Sequence, residues 1–390
     1  MSMQILLISL VFILFSFYGG ISLFGFLYGK RLWYQKDKNY LPKVSLVIAT
    51  FNEEKIINEK IQNLIQLDYP KEKLEIVFVD ASTDATWEMI EAFKENSSLK
   101  IIALKETERK GLASALNAGY SAATGEIVVK TDCDILTDKN AIRELVGHFF
   151  TPAIGAVSGA IRVSNPSDIE VGYRSIFQKM RIAESNLDST YMFNTFFAFR
   201  KCLIEPIDEK SVADDAELAL KIRKKGFKTI YTPTAIAYEA SPTSIKDRIK
   251  QKSRRAQGHI RLIYQNLGIM FNPKYGKLGL FIFPANFFMI ILSPWLFALT
   301  LLLGLIYTYS SFGLIPLLLA LTLIALTSIG YVKATPKIVA GFLDAQLALL
   351  VGFLTLIAKG PDFKWTKEKR SKTTHTHDRQ EISKPQLGAE

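Results

Sequence analysis

Residues 44–54 read VSLVIATFNEE, and their reading decides the fold. Residues 44–49 are an uncharged run rich in Val and Ile, the composition of a strand buried on both faces. Polar residues follow at once, and residues 54–65 carry helical spacing. The cycle recurs at residues 74–79 (LEIVFV, with a helix predicted near 86–93), at 101–104 (IIAL) and at 126–130 (EIVVK). Strands alternating with helical segments predict βαβ units, hence an α/β domain around a mainly parallel sheet. In such sheets ligands bind beyond the carboxyl ends of the strands, so the chemistry belongs directly after each one.

Three strand ends are acidic. Thr50-Phe51-Asn52-Glu53-Glu54 follows the first strand, Asp80-Ala81-Ser82-Thr83-Asp84 the second and Asp132-Cys133-Asp134 the fourth. Taken singly, Asp and Ser at such positions are helix caps. Asp132 and Asp134 ask for more, because two carboxylates two residues apart repel unless something shares them. Their hard oxygens suit Mg2+ or Mn2+ holding a diphosphate, since these ions take one or two carboxylates plus substrate phosphates. The sequence contains neither GxxxxGK[ST] nor a GxGxxG behind the first strand, which disfavours a P-loop NTPase and a dinucleotide oxidoreductase.

The 390 residues are 49% hydrophobic and carry a net charge of +11. A mean hydropathy of +0.16 is too high for a wholly soluble enzyme. At 22% charged residues, the chain is equally unlike a pure membrane bundle. The charge is unevenly spread: residues 1–29 and 278–332 have none, and residues 338–358 have only Asp344. Apolar stretches of about 20 residues can span a bilayer. Residues 4–28 are too long for a signal-peptide core and read as a retained anchor. Lys30, Arg31, Lys36 and Lys38 follow it, which places the next region in the cytosol. Residues 278–332 have room for two spans broken near 307–313, and residues 338–358 for another. Four spans would put the tail outside, whereas its lysines favour the cytosol, so the count stays open. Cys133 and Cys202 are expected as cytosolic thiols, and no Cys or His spacing resembles a zinc site.

Six motifs stand in one order along the chain: residues 44–54, residues 79–84 (VDASTD), 111–117 (GLASALN), 131–134 (TDCD), 213–218 (ADDAEL) and 251–258 (QKSRRAQG). With apolar spans behind the last, they resemble the membrane-integrated family 2 glycosyltransferases, the group of hyaluronan, chitin, cellulose and poly-N-acetylglucosamine synthases. The resemblance covers roughly residues 42–372. It implies a GT-A fold, a nucleotide-sugar donor (most often UDP-linked) and a divalent metal, Mg2+ or Mn2+. By the same resemblance Asp80 reads the nucleobase, Thr50 and Glu53 line the nucleoside pocket, Asp132 contacts the nucleotide and Asp134 holds the metal. Asp215 takes the position of the catalytic base that removes the acceptor proton. Gln251 and Arg254 belong to the QxxR motif, with Arg254 gripping phosphate oxygens.

Two departures bear on the acceptor. The family motif is QxxRW, and Arg255 stands where Trp would stack on sugar rings. In GLASALN the usual Lys is Leu112, and Lys110 or Arg109 is expected to supply its charge. The aromatics near 193–199 read as core. Loss of the Trp weakens the case for processive polymerisation, so two acceptors stay open, a polysaccharide, towards which the intact later spans tip the reading, and a lipid such as a polyprenyl phosphate or glycolipid. Residues 246–277 carry nine Lys or Arg against Asp247. With apolar residues interleaved they read as interfacial helices against anionic lipid headgroups. No nucleic-acid recognition module accompanies them.

The expected organisation is an anchor (1–29), a cytosolic catalytic domain (42–241), basic interfacial helices (242–277), a membrane region (278–358) and a basic tail (359–390) ending in disorder, in a multi-pass protein of the cell membrane. A rival from another class is a membrane transport or scaffold protein whose α/β domain only binds nucleotide. Asp344 alone in the later apolar segments is poor provision for a transport pathway.

Overall fold

The opening run forms β1 (Val44–Thr50), and the other predicted runs form β2 (Leu74–Asp80), β3 (Lys100–Lys105) and β4 (Ile127–Lys130). In the computed structural model, which describes residues 3–163, 168–240, 245–328 and 337–360, four more strands complete the sheet. These are β5 (Leu136–Thr137), β6 (Ile154–Val163), β7 (Phe197–Arg200) and β8 (Lys228–Glu239). The order is β3-β2-β1-β4-β7-β6-β8-β5. β1 to β4 are parallel, as the spacing predicts. β7 runs antiparallel to both β4 and β6, and β5 antiparallel to β8. The sheet as a whole is therefore mixed. β7 is a buried Phe-Ala-Phe with no alternation, so its pattern carries no sign of direction.

Helices α1 (Met3–Tyr28), α2 (Ile57–Ile65), α3 (Thr86–Asn96), α4 (Leu112–Ala122), α5 (Ala141–Val146), α6 (Asp168–Leu187), α7 (Asp214–Lys224) and α8 (Ile245–Gln265) precede the later apolar ones. Those are α9 (Leu278–Phe312), α10 (Leu314–Ser328) and α11 (Lys337–Lys359). Alternate residues of the central strands point to opposite faces. Leu46, Ile48, Ile76 and Phe78 pack with Ile57 and Ile61 of α2, Ile90 of α3 and Leu145 of α5. Val47, Val77 and Val128 pack with Leu116 and Tyr120 of α4 and Leu218 and Ile222 of α7. That second core continues into Ile260 and Ile263 of α8 and Phe283 of α9, so the sheet and the apolar helices share one interior. Phe193, Phe196, Phe197 and Phe199 are buried in the core, as expected.

The helix predicted from residue 54 begins at Ile57. Asn52 has a left-handed φ of 55°. Its backbone N–H donates to Ser82 Oγ, and its side-chain oxygen accepts the Thr83 N–H, each at 2.8 Å. These bonds hold residues 52–54 in a loop across two strand ends. α7 carries Asp214, Asp215 and Glu217 in its first turn, where carboxylates favour the helix dipole.

Among the described residues, three helices are long and apolar enough to cross a membrane: α1, α9 and the Gly341–Lys359 part of α11. A helix break falls at Gly313 (φ 85°), between α9 and the 15-residue α10. α1 packs on α6 and α9, and α11 packs on α6 and α8. At Gly29 a Cβ would collide with the Lys179 backbone, so α1 passes α6 closely only because that position is glycine. Tyr18, Ser293 and Gln346 close a hydrogen-bonded triangle between α1, α9 and α11 at 2.7–3.1 Å. Asp344 of α11 is 2% exposed and pairs with Lys252 of α8 and, at 3.4 Å, with Arg248. The charge that looked isolated in an apolar segment is thus neutralised by the basic helix. The tail segment at 363–370 (FKWTKEKR), which resembles a juxtamembrane motif of these synthases, lies outside the described residues.

Candidate active site

Strand order reverses between β1 and β4, and the crevice at such a switch point is where α/β sheets take ligands. Thr50 and Asp80 are register partners at the ends of β1 and β2. Thr50 Oγ1 donates to Asp80 Oδ1 at 2.6 Å, and Ser82 donates its backbone N–H at 3.0 Å and its hydroxyl at 2.6 Å to the same carboxylate. Three donors on a fully buried Asp80 fix it as an acceptor at the floor of the crevice. Glu53 is buried beside it, with its N–H donating to Thr86 Oγ1 at 2.8 Å. Arg109 lies over the Phe51 ring at 4.0 Å, while Lys110 is exposed. Of the two candidates for the missing motif charge, Arg109 is the one seated against the β1 loop.

Asp132 and Asp134 lie in the turn behind β4. Asp132 Oδ1 pairs with Lys130 Nζ at 2.7 Å, and Oδ2 accepts the Thr195 hydroxyl at 2.7 Å. Lys130 also faces Asp214 Oδ2 at 3.7 Å. Lys130 is 2% exposed. Burial penalises its charge, but Asp132 and Asp214 together keep it protonated and raise its pKa. The sequence reading missed this lysine. The available signal was a charged residue closing the otherwise apolar strand β4, which a buried strand tolerates only when it is paired. Below the same turn, Lys60 donates to Thr131 Oγ1 at 3.1 Å and to the Ile135 carbonyl. Burial lowers the Lys60 pKa to about 8.

Asp215 opens α7 and accepts the Ala216 N–H at 2.7 Å. Burial raises its pKa, opposed by Lys130 and by the charges of Arg255 and Arg181. Asp214 is also raised, by burial first, with Lys130 opposing and Asp215 and Asp132 adding. The fold thus gathers Asp132, Asp214 and Asp215 around one internal cation. Tyr120 of α4 lies within their field. Gln251 and Arg254 stand on α8 one turn before or beside Arg255. Arg255 occupies the missing Trp position, and it donates to Glu239 Oε1 at 2.9 Å.

The donor set suits a divalent cation of the kind expected. No group of three or more His, Cys, Asp or Glu side chains forms a metal cage among the described residues. Asp134, with Asp132 next to it, offers a partial set of hard oxygens. That set fits Mg2+ or Mn2+ completing its shell with diphosphate oxygens and water.

Beside the carboxylates, a cavity of about 730 Å3 runs between α1, α6, α8, α9 and α11. Leu14, Phe15, Met289, Phe297, Phe342 and Leu349 make much of its wall. Arg181, Asn194, Tyr231, Lys252, Arg255 and His259 also line it. Arg181 donates to Asn194 Oδ1 at 2.7 Å and lies over the Tyr231 ring. Burial, with Arg181 and Arg255 nearby, lowers the His259 pKa to about 4, so the imidazole is neutral at pH 7.

Comparison with known proteins agrees with this geometry. The chain is 30% identical over 274 residues to the probable glycosyltransferase YdaM of Bacillus subtilis, covering 66% of this chain and 65% of that protein. It is 26% identical to the poly-beta-1,6-N-acetyl-D-glucosamine synthase of Staphylococcus aureus, over 68% of this chain and 65% of the synthase. The chain thus spans about 65% of the length of these curated relatives. Among solved structures, the mannosyltransferase PcManGT of Pyrobaculum calidifontis, in complex with GDP-Man and Mn2+, superposes with a TM-score of 0.77 at 27% identity. That match covers 92% of this chain and 99% of the mannosyltransferase. Residues 45–207 match the glycosyl transferase family 2 domain, and residues 127–329 match the glycosyl transferase family group 2 domain. A mixed sheet carrying acidic motifs at its switch point, more than half matched by the second of these domains, makes this chain a member of glycosyltransferase family 2 with a GT-A fold.

Proposed function

We propose that the protein is a membrane-embedded, inverting glycosyltransferase that moves a sugar from a nucleoside-diphosphate donor to a lipid-linked acceptor. The observation that carries the acceptor is the cavity. Its apolar wall is built from α1, α9 and α11, helices able to cross a bilayer, and Arg255 on its lining acts electrostatically on Asp215. An acyl or prenyl chain fits the apolar wall, and its headgroup then stands beside the base.

In this reading Thr50, Glu53 and Asp80 hold the nucleoside, Asp80 as hydrogen-bond acceptor. Asp132 and Asp134 bind the diphosphate through a divalent cation, which when bound neutralises charge on the leaving group. Arg254, with Gln251 on the same helix, supplies cationic contact to the phosphates. Asp215 takes the proton of the acceptor hydroxyl as that oxygen bonds to the anomeric carbon and the bond to the diphosphate breaks. A positioned base contributes about 10²–10⁴-fold. UDP-sugars follow from the family resemblance, and GDP-mannose from the structural neighbour's bound donor. Lys30 and Arg31 behind α1 support a catalytic domain on the cytosolic face. Three crossings, by α1, α9 and α11, would return residue 360 to the same side as residue 30.

A polysaccharide acceptor is the second reading, favoured by the likeness to the poly-N-acetylglucosamine synthase. The test supplies purified protein in liposomes of total bacterial lipid with radiolabelled UDP-GlcNAc, UDP-Glc or GDP-Man and separates the products by solvent extraction. Organic-soluble label of low mass supports the lipid acceptor. Label confined to a water-soluble polymer overturns it.

A further inference from the structure

We infer that the catalytic end of the cavity is a phosphate subsite, in which Arg255, with Arg181, Lys252 and His259, grips an anionic group of the acceptor lipid's headgroup. The inference rests on the lipid-acceptor reading and adds the class of headgroup. The cavity is amphipathic in a directed way. Arg181 donates to Asn194 and lies over the Tyr231 ring, and His259 lies in the field of Arg181 and Arg255. These side chains therefore form one cluster, and Arg181 and Arg255 both act on Asp215. Away from the cluster most of the lining is apolar, with Leu14, Phe15, Met289, Phe297, Phe342 and Leu349 in the wall.

Glu239 engages Arg255, and Asp344 engages Lys252 and Arg248. A guanidinium has five N–H donors, and the Arg255–Glu239 contact uses one nitrogen. His259 Nδ1 is buried without a hydrogen-bond partner among the described residues. A buried polar atom in that condition on a cavity lining calls for a ligand partner.

The substitution at residue 255 gives the same answer chemically. A Trp there offers a π face for a sugar ring and a single N–H donor. An Arg offers a planar fork matched to phosphate oxygens. The anion is an anchor and not the attacking group. Asp215 is placed to accept a proton, and a phosphate dianion has none to give, so the nucleophile is a hydroxyl farther along the headgroup.

The test measures binding to the full-length protein in detergent micelles. The probes are a short prenyl diphosphate-linked GlcNAc, the neutral prenyl GlcNAc of equal chain length, and inorganic phosphate. The expected result is that the diphosphate-linked probe binds at least tenfold more tightly than the neutral one, and that Arg255→Ala removes the difference. Arg255→Lys is expected to retain part of it. Equal binding of the two glycolipids to the unaltered protein overturns the subsite while leaving the lipid acceptor standing, and needs no variant to fold. Inorganic phosphate binding as tightly as the diphosphate-linked probe overturns the lipid as source of the anion. Binding of neither lipid overturns both this inference and the reading it rests on.

Discussion

Asp215 and Asp214 occupy adjacent positions in the first turn of α7, and burial raises both. A base must be ionised, so transfer should fall as pH drops through the raised value, giving an acid limb above the ordinary 3.8. Asp215→Asn is expected to lower kcat by at least about 10²-fold while Mn2+-dependent nucleotide binding stays within about twofold. Full turnover in that variant would exclude Asp215 as base. Lys130 tunes the same titration from beneath. Lys130→Met removes the cation that favours the ionised carboxylates, so the acid limb of kcat/KM should move to higher pH. Because its partners are buried, stability should drop by about 3 kcal/mol or more in thermal unfolding. An unchanged pH profile would confine Lys130 to a structural role. The acidic residues were legible because they follow apolar runs directly. Thr195 and Tyr120 were not, since each meets the carboxylates only after separate strands and helices pack, and Lys130 showed only as a charge closing an apolar strand.

α8 shows how one element serves two environments. Its charge run reads in sequence as a basic face against lipid headgroups, yet Arg248 and Lys252 turn to Asp344 of α11, and Glu239 holds Arg255. Gly352 of α11 brings the helices close, because a Cβ there would lie 3.0 Å from the Ala256 Cβ. Asp344→Asn leaves two cations without their buried counter-charge. The expected cost is about 3–5 kcal/mol of stability, with a lowered kcat because the QxxR helix loses its brace. Adding Lys252→Met should recover part of the loss, and the double-mutant cycle measures the coupling. If Asp344→Asn unfolds at the same denaturant concentration as the unaltered protein, the brace carries no energy. Composition reads this helix as interfacial. It did not show that the lone aspartate of an apolar segment was its partner, because that pairing spans 92 residues of sequence.

For the whole molecule, the decisive feature is that the sheet's core passes without interruption into α8 and α9. The parallel half of the sheet was legible from its buried runs. The antiparallel placement of β7 was not, because its buried Phe-Ala-Phe carries no alternation that gives direction. The cavity was also invisible in sequence, since five helices from both ends of the chain build it. That construction makes a separation of donor and acceptor testable. Ala345 lines the cavity from α11, far in sequence from the nucleotide motifs. Ala345→Phe adds bulk in the acceptor's path and leaves Thr50, Asp80, Asp132 and Asp134 untouched. Transfer to lipid should fall at least tenfold through a raised KM for acceptor, with nucleotide affinity and the melting temperature near their original values. Overpacking of a closed core would instead cost about 1–3 kcal/mol and lower the melting temperature, so a stable variant with lost transfer marks an occupied path. If Ala345→Phe transfers sugar with unchanged acceptor KM, the acceptor reaches Asp215 by another route and the cavity is not its entrance.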